Sequence, residues 1–234
     1  MTGVPLVRVR VVRLVVVALL ASAVAVVGGA GAADATPEPP PSFITTWGTD
    51  GSGNGQFNEP YGVAVDLTTG DVYVTDTGNN RVQKFDSDGT FLTAWGTFGT
   101  GDGQFDGPFG VAVDPTTGDV YVTDVGHDRV QKFDSDGGFL TTWGSEGSGQ
   151  FRGPFGVAVG PTGDVYVADT WNSRVQKLDS DGNLLTAWGT YGASNGQFRG
   201  PYGVAVDPTT GHVYVADVGN HRVQEFDSDG TFLA

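Results

Sequence analysis

The chain has 234 residues with 12 Lys and Arg against 27 Asp and Glu, a formal net charge of −15. A nucleic-acid ligand is therefore not expected, because phosphate binding needs a basic footprint. With 38 Gly and no Cys, the composition suits short strands joined by tight turns, and it excludes a disulfide scaffold or a cysteine-ligated metal.

At the N-terminus, Arg8, Arg10 and Arg13 precede an apolar run from Leu14 to Val27 and the small residues Ala30-Gly31-Ala32. This layout predicts a secretory signal peptide over residues 1–32 and a secreted, extracellular protein. The other reading is an uncleaved membrane anchor, since the apolar character extends to Ala33 and approaches the roughly 20 residues a bilayer requires. Apart from such an anchor no membrane partner is expected, because the remaining acidic body would be repelled by anionic lipid. Residues 33–42, which include Asp-Ala-Thr-Pro-Glu-Pro-Pro-Pro-Ser, read as an extended Pro-rich linker.

Residues 43–234 are built from one unit. Its opening proline returns at Pro60, Pro108, Pro154 and Pro201, at intervals of 46 to 48 residues, a period typical of propeller arrays. In the first copy, Gly62 to Asp66, Val72 to Asp76, Arg81 to Asp86 and Phe91 to Trp95 read as four strands, with Asp88-Gly89 turning the last hairpin. The expected fold class is all-β: a β-propeller of four-stranded antiparallel blades with four repeats. Phe43 to Trp47 matches a last strand without the rest of a repeat before it, and the final Phe232-Leu233-Ala234 matches the beginning of one.

The segments Pro-Tyr-Gly-Val-Ala-Val-Asp, Val-Tyr-Val-Thr-Asp and Asn80-Arg81-Val82-Gln83-Lys84-Phe85 resemble the NHL-repeat β-propellers. The resemblance implies the fold and says little about activity. Similar proteins include a secreted lyase acting on peptidylglycine, RNA-binding propellers and extracellular sensor domains, and such rings usually hold six blades. Four copies leave three arrangements open: a ring closed by Phe43 to Trp47, part of a larger six-bladed ring, or an open arc completed by self-association.

Comparing the copies separates scaffold from candidate site. Trp47, Trp95, Trp143 and Trp188 share one offset and are expected between blades. Asp76, Asp124, Asp169 and Asp217 each precede an arginine by five residues and are expected to pair with it. A ring of these carboxylates could otherwise hold Ca²⁺. The Asp-Ser-Asp-Gly segments beginning at Asp86 read as hairpin turns rather than calcium loops, since they lack the distal Glu. No cofactor is expected beyond weak Ca²⁺ binding.

Departures from the pattern are the candidates. Trp171 stands where Gly78, Gly126 and Gly219 stand, and Arg152 and Arg199 are cations at an offset otherwise held by Asn58 and Asp106. Phe98 and Tyr191 share a loop offset with Asp50 and Glu146. With His127, these residues form an aromatic and basic set suited to binding a protein, peptide or cell-wall glycan. His127, His212 and His221 occupy unrelated offsets, so a lyase or hydrolase would need a channel metal held by Asp carboxylates. That is the alternative reading.

Overall fold

The structure is a computed structural model in which residues 42–144 and 150–234 are described. The expected signal segment and nearly all of the linker lie outside these residues, as does Glu146.

Each repeat folds as a meander because its short β-branched runs are separated by turn residues of fixed chemistry. Blade one comprises β3 (Pro60–Val65), β4 (Val72–Asp76), β5 (Arg81–Phe85) and β6 (Phe91–Trp95), preceded by a small parallel pair, β1 (Thr49–Asp50) and β2 (Gln56–Phe57). Blade two comprises β7 (Pro108–Val113), β8 (Val120–Asp124), β9 (Arg129–Phe133) and β10 (Phe139–Trp143). Blade three comprises β11 (Pro154–Val159), β12 (Val165–Asp169), β13 (Arg174–Leu178) and β14 (Leu184–Trp188). Blade four has three strands among the described residues, β15 (Pro201–Val206), β16 (Val213–Asp217) and β17 (Arg222–Phe226); the outer edge of β17 carries an isolated bridge from Phe226 to Phe232.

The strands differ from the sequence expectation at their ends. The first strand opens at the proline, where a missing N–H costs nothing, and a register shift between Pro60 and Val63 bends it. Asp66 and Asp86 leave the strands to serve the turns: Asp66 accepts from the Thr68 and Thr69 amides, and Asp86 accepts from the Asp88 and Thr90 amides.

Blades stack through three apolar layers. Between blades one and two, Ala64, Tyr73, Val82 and Trp95 meet Phe105, Val111, Val113, Val120, Val122 and Phe133. The same positions build the layers between blades two and three and between blades three and four. Each fully buried valine or phenylalanine contributes on the order of 1.5–3 kcal/mol. Every invariant tryptophan covers a glycine in the turn of the following blade: Trp95 covers Gly137, Trp143 covers Gly182 and Trp188 covers Gly230. Their indole Nε1 atoms are buried without an acceptor, so these side chains act by packing.

The first strands lie innermost, each against the next: β3 on β7, β7 on β11 and β11 on β15. Glycine makes this possible, because a Cβ at Gly110 or Gly156 would stand 2.5 Å from the carbonyl oxygen of Phe155 or Tyr202. Among the described residues no comparable packing joins β15 back to β3.

Of the three arrangements left open, closure by the N-terminal strand is not the one observed. Phe43–Trp47 belongs to no strand and does not pair with blade four. Trp47 instead covers Gly89 and lies 6.3 Å from Phe85, the same relation to blade one that Trp95 has to blade two. It occupies the place of the last strand of a preceding blade.

Candidate ligand-binding face

The loop into the first strand and the turn after the second strand are tied together at one end of every blade. The Gly78 amide donates to the Asn58 carbonyl, Gly126 to Asp106, Trp171 to Arg152 and Gly219 to Arg199. A buried aspartate anchors the same spot. Asp76 accepts from the Asn58 amide at 2.7 Å, from Asn79 Nδ2 at 2.9 Å, from Arg81 Nε at 2.7 Å and from Gln83 Nε2 at 3.0 Å. Asp124, Asp169 and Asp217 repeat the arrangement with Arg129, Arg174 and Arg222. These carboxylates are engaged by their own blades. Among the described residues, no group of three or more His, Asp or Glu side chains is placed to hold a metal ion.

The candidate residues separate into two clusters and two outlying positions. Trp171 lies on the short 3-10 turn Thr170–Asn172, half exposed at 54 %, with its ring flat over Gly153 and edge-on to Phe155 at 6.2 Å. The hydrogen bond from its backbone N–H to the Arg152 carbonyl holds the two residues' backbones side by side. On blade four, the Arg199 guanidinium sits 5.4 Å from the centre of the Tyr191 ring, a cation–π pair. Phe98 is exposed on the corresponding loop of blade two. His127 has a local partner: its Nδ1 is 3.0 Å from Asp124 Oδ2, the contact that Asn79, Asn172 and Asn220 make in the other blades.

A further set was not apparent from the sequence. Tyr61, Phe109, Phe155 and Tyr202, the second residues of the four innermost strands, form one aromatic row. Ring centres are 4.4 Å apart for Tyr61 and Phe109, 4.8 Å for Phe109 and Phe155, and 4.4 Å for Phe155 and Tyr202. All four are partly accessible, and Trp171 extends the row at Phe155. The signal was present as the recurring Pro-Tyr-Gly or Pro-Phe-Gly, but a residue constant in every copy reads as scaffold until the blades are placed around a common side.

The histidines do not converge. His127 lies at the end carrying Trp171, whereas His212 stands in the opposite turn, with Nδ1 2.7 Å from Glu225 Oε1. Hydrogen bonds from His212 and then from Tyr214 hold the Glu225 carboxyl below its ordinary pKa.

Repeated four-stranded blades with their first strands packed side by side define a β-propeller. The chain belongs to the NHL-repeat family: the NHL repeat model matches residues 57–85, 105–133, 151–178 and 198–226. A 46-residue stretch is 52 % identical to Protein lin-41 of Caenorhabditis elegans, covering 20 % of this chain and 4 % of that protein. Among solved structures, a streptogramin B lyase superposes with a TM-score of 0.58 at 20 % identity, over 74 % of this chain and 53 % of the other. A nidogen/laminin complex matches with a TM-score of 0.57 at 22 % identity, over 72 % and 60 %. These likenesses establish the fold, and the chain spans little more than half the length of the first of these structures.

Proposed function

We propose that this protein is an exported, non-catalytic NHL propeller that binds a peptide segment of a protein partner, or a glycan, through the face carrying Trp171. The observation behind this reading is the row Tyr61, Phe109, Phe155 and Tyr202, continued by Trp171, whose amide is tied to the Arg152 carbonyl. Adjoining, partly exposed rings offer large rigid contact area at little entropic cost. The Arg199 and Tyr191 pair supplies a second anchor on the neighbouring blade. The nidogen/laminin complex among the similar folds is in keeping with a protein partner.

The test is selection of a random displayed peptide library and a glycan array on the immobilised purified chain, each repeated with Phe109→Ala and with Trp171→Ala. Enrichment of one ligand class, lost in both variants, is expected. Enrichment of neither class, or binding indifferent to both substitutions, would overturn the reading.

A further inference from the structure

One residue of the loop into each first strand is held in the same place in all four blades, yet its charge changes along the array. Its amide donates to the buried aspartate of its own blade: Asn58 to Asp76 at 2.7 Å, Asp106 to Asp124 at 2.8 Å, Arg152 to Asp169 at 2.7 Å and Arg199 to Asp217 at 2.7 Å. Three residues further along each chain segment stands a ring of the inner aromatic row. Blade two therefore presents an acid where blades three and four present arginines, and Asp106, Arg152 and Arg199 are all exposed. The reversal falls between blades two and three, whose first strands each have another first strand packed on both sides.

Neighbouring positions run the same way. Blade one carries Glu59 directly after Asn58, at φ 52, where Gly107, Gly153 and Gly200 have φ 77, 56 and 79. That left-handed conformation is costly for a residue with a side chain, so an acid occupies a position that suits glycine. At the offset shared by Asn80, Asp128, Ser173 and His221, the acid again belongs to blade two, where Asp128 Oδ1 accepts from the Gly153 amide at 2.6 Å. The buried Asp–Arg pairs occur in every blade and create no gradient, and His127 is held by Asp124. Among the described residues, Glu59, Asp106, Arg152 and Arg199 form no salt bridge.

The row and this gradient together describe a ligand. Successive ring centres are 4.4 to 4.8 Å apart, and an extended peptide advances roughly 3.3 Å per residue, so about four residues lie along the row. Adjoining rings accept apolar and aromatic side chains. A neutral glycan would also use the rings, but it would leave the charges beside them without partners. Complementary charge fixes register and rejects wrong partners more than it adds affinity.

We infer that the occupant of this face is an extended peptide segment with an apolar or aromatic centre, basic at one end and acidic at the other. Its basic end lies toward Glu59 and Asp106, and its acidic end toward Arg152 and Arg199. This rests on the proposed binding role of the aromatic row and adds the class of ligand and its orientation. A uniformly basic or uniformly acidic segment meets like charge at one end and is selected against.

The test is selection of three displayed peptide libraries with the same random centre on the immobilised full chain. One has lysines at one end and glutamates at the other, the second has a lysine and a glutamate at each end, and the third has lysines at both ends. The first is expected to supply the binders, roughly tenfold tighter than their isomers of the second kind at low salt, with the advantage shrinking as salt rises. In Arg152→Glu combined with Arg199→Glu, with an unchanged β-sheet spectrum, preference moves to the third library. In the milder Arg152→Gln with Arg199→Gln, glutamates at the second end no longer help. Equal recovery from the first two libraries on the wild type, with binding still lost in Phe109→Ala, would overturn the inference and leave the binding row standing. Ligands found only on a glycan array would overturn it in favour of a glycan, and recovery of no ligand of either kind would overturn both readings.

Discussion

The Cβ of an alanine at Gly110 would stand 2.5 Å from the carbonyl oxygen of Phe155, while at the equivalent Gly203 the nearest atom is the Ala216 Cβ at 3.6 Å. The same residue type at one repeat offset is sterically required where the next first strand packs against it and has room at the last of the described blades. Gly110→Ala should therefore destabilise by roughly 1–3 kcal/mol through forced separation of β7 and β11, and Gly203→Ala by less than about 1 kcal/mol. Denaturant titration of both variants checks this; equal losses would mean that inner-strand approach is not the cause.

Trp143 is buried against Tyr121, with ring centres 5.4 Å apart, and covers Gly182 of the next blade. Trp143→Ala should cost about 3–5 kcal/mol. Equilibrium unfolding measures it, and a neutral result would show that the invariant tryptophans do not join the blades.

Asp124 is wholly buried and bonded to Arg129 Nε at 2.8 Å and to the Asp106 amide. Asp124→Ala leaves a buried guanidinium without its carboxylate and should cost about 3–5 kcal/mol. Arg129→Lys should not retain full stability in denaturant titration, because Arg129 also donates from its terminal nitrogens to the Thr100, Gly101 and Gln104 carbonyls, a fork that an ammonium cannot reproduce.

Trp171→Ala combined with Arg199→Ala removes side chains at the loop end without emptying an inter-blade layer. Binding of the ligand selected on the wild type should weaken at least tenfold while the melting temperature moves by only a few degrees. A large fall in melting temperature would assign Trp171 to the scaffold.

The turn carboxylates give a pH dependence of known sign. Asp86 and Asp227 are held below their ordinary pKa chiefly by the Thr90 and Thr231 amides, and Asp179 chiefly by the Asn183 side chain. A depressed folded-state pKa gives stability that is present above the unfolded value of about 4 and is lost as pH falls through the lower folded values. Melting temperature should be nearly constant from about pH 7 to 5 and decline below about 4. Asp179→Asn should shallow that decline; an identical slope would count against the turns as its source.

The sequence by itself determined the blade. Periodicity, the Asp-Gly turns and the buried Asp–Arg pair are local or lie within one repeat, so their partners are close in the chain and repeated copies make them legible. It also marked Trp171, Arg152, Arg199 and Tyr191 as exceptions, two pairs of which the fold brings together. Only the tertiary structure decided the rest. The row from Tyr61 to Tyr202 joins residues about one repeat apart that look like scaffold until the first strands lie side by side. Whether Phe43–Trp47 closes blade four depended on the accumulated rotation between blades, which no single repeat encodes.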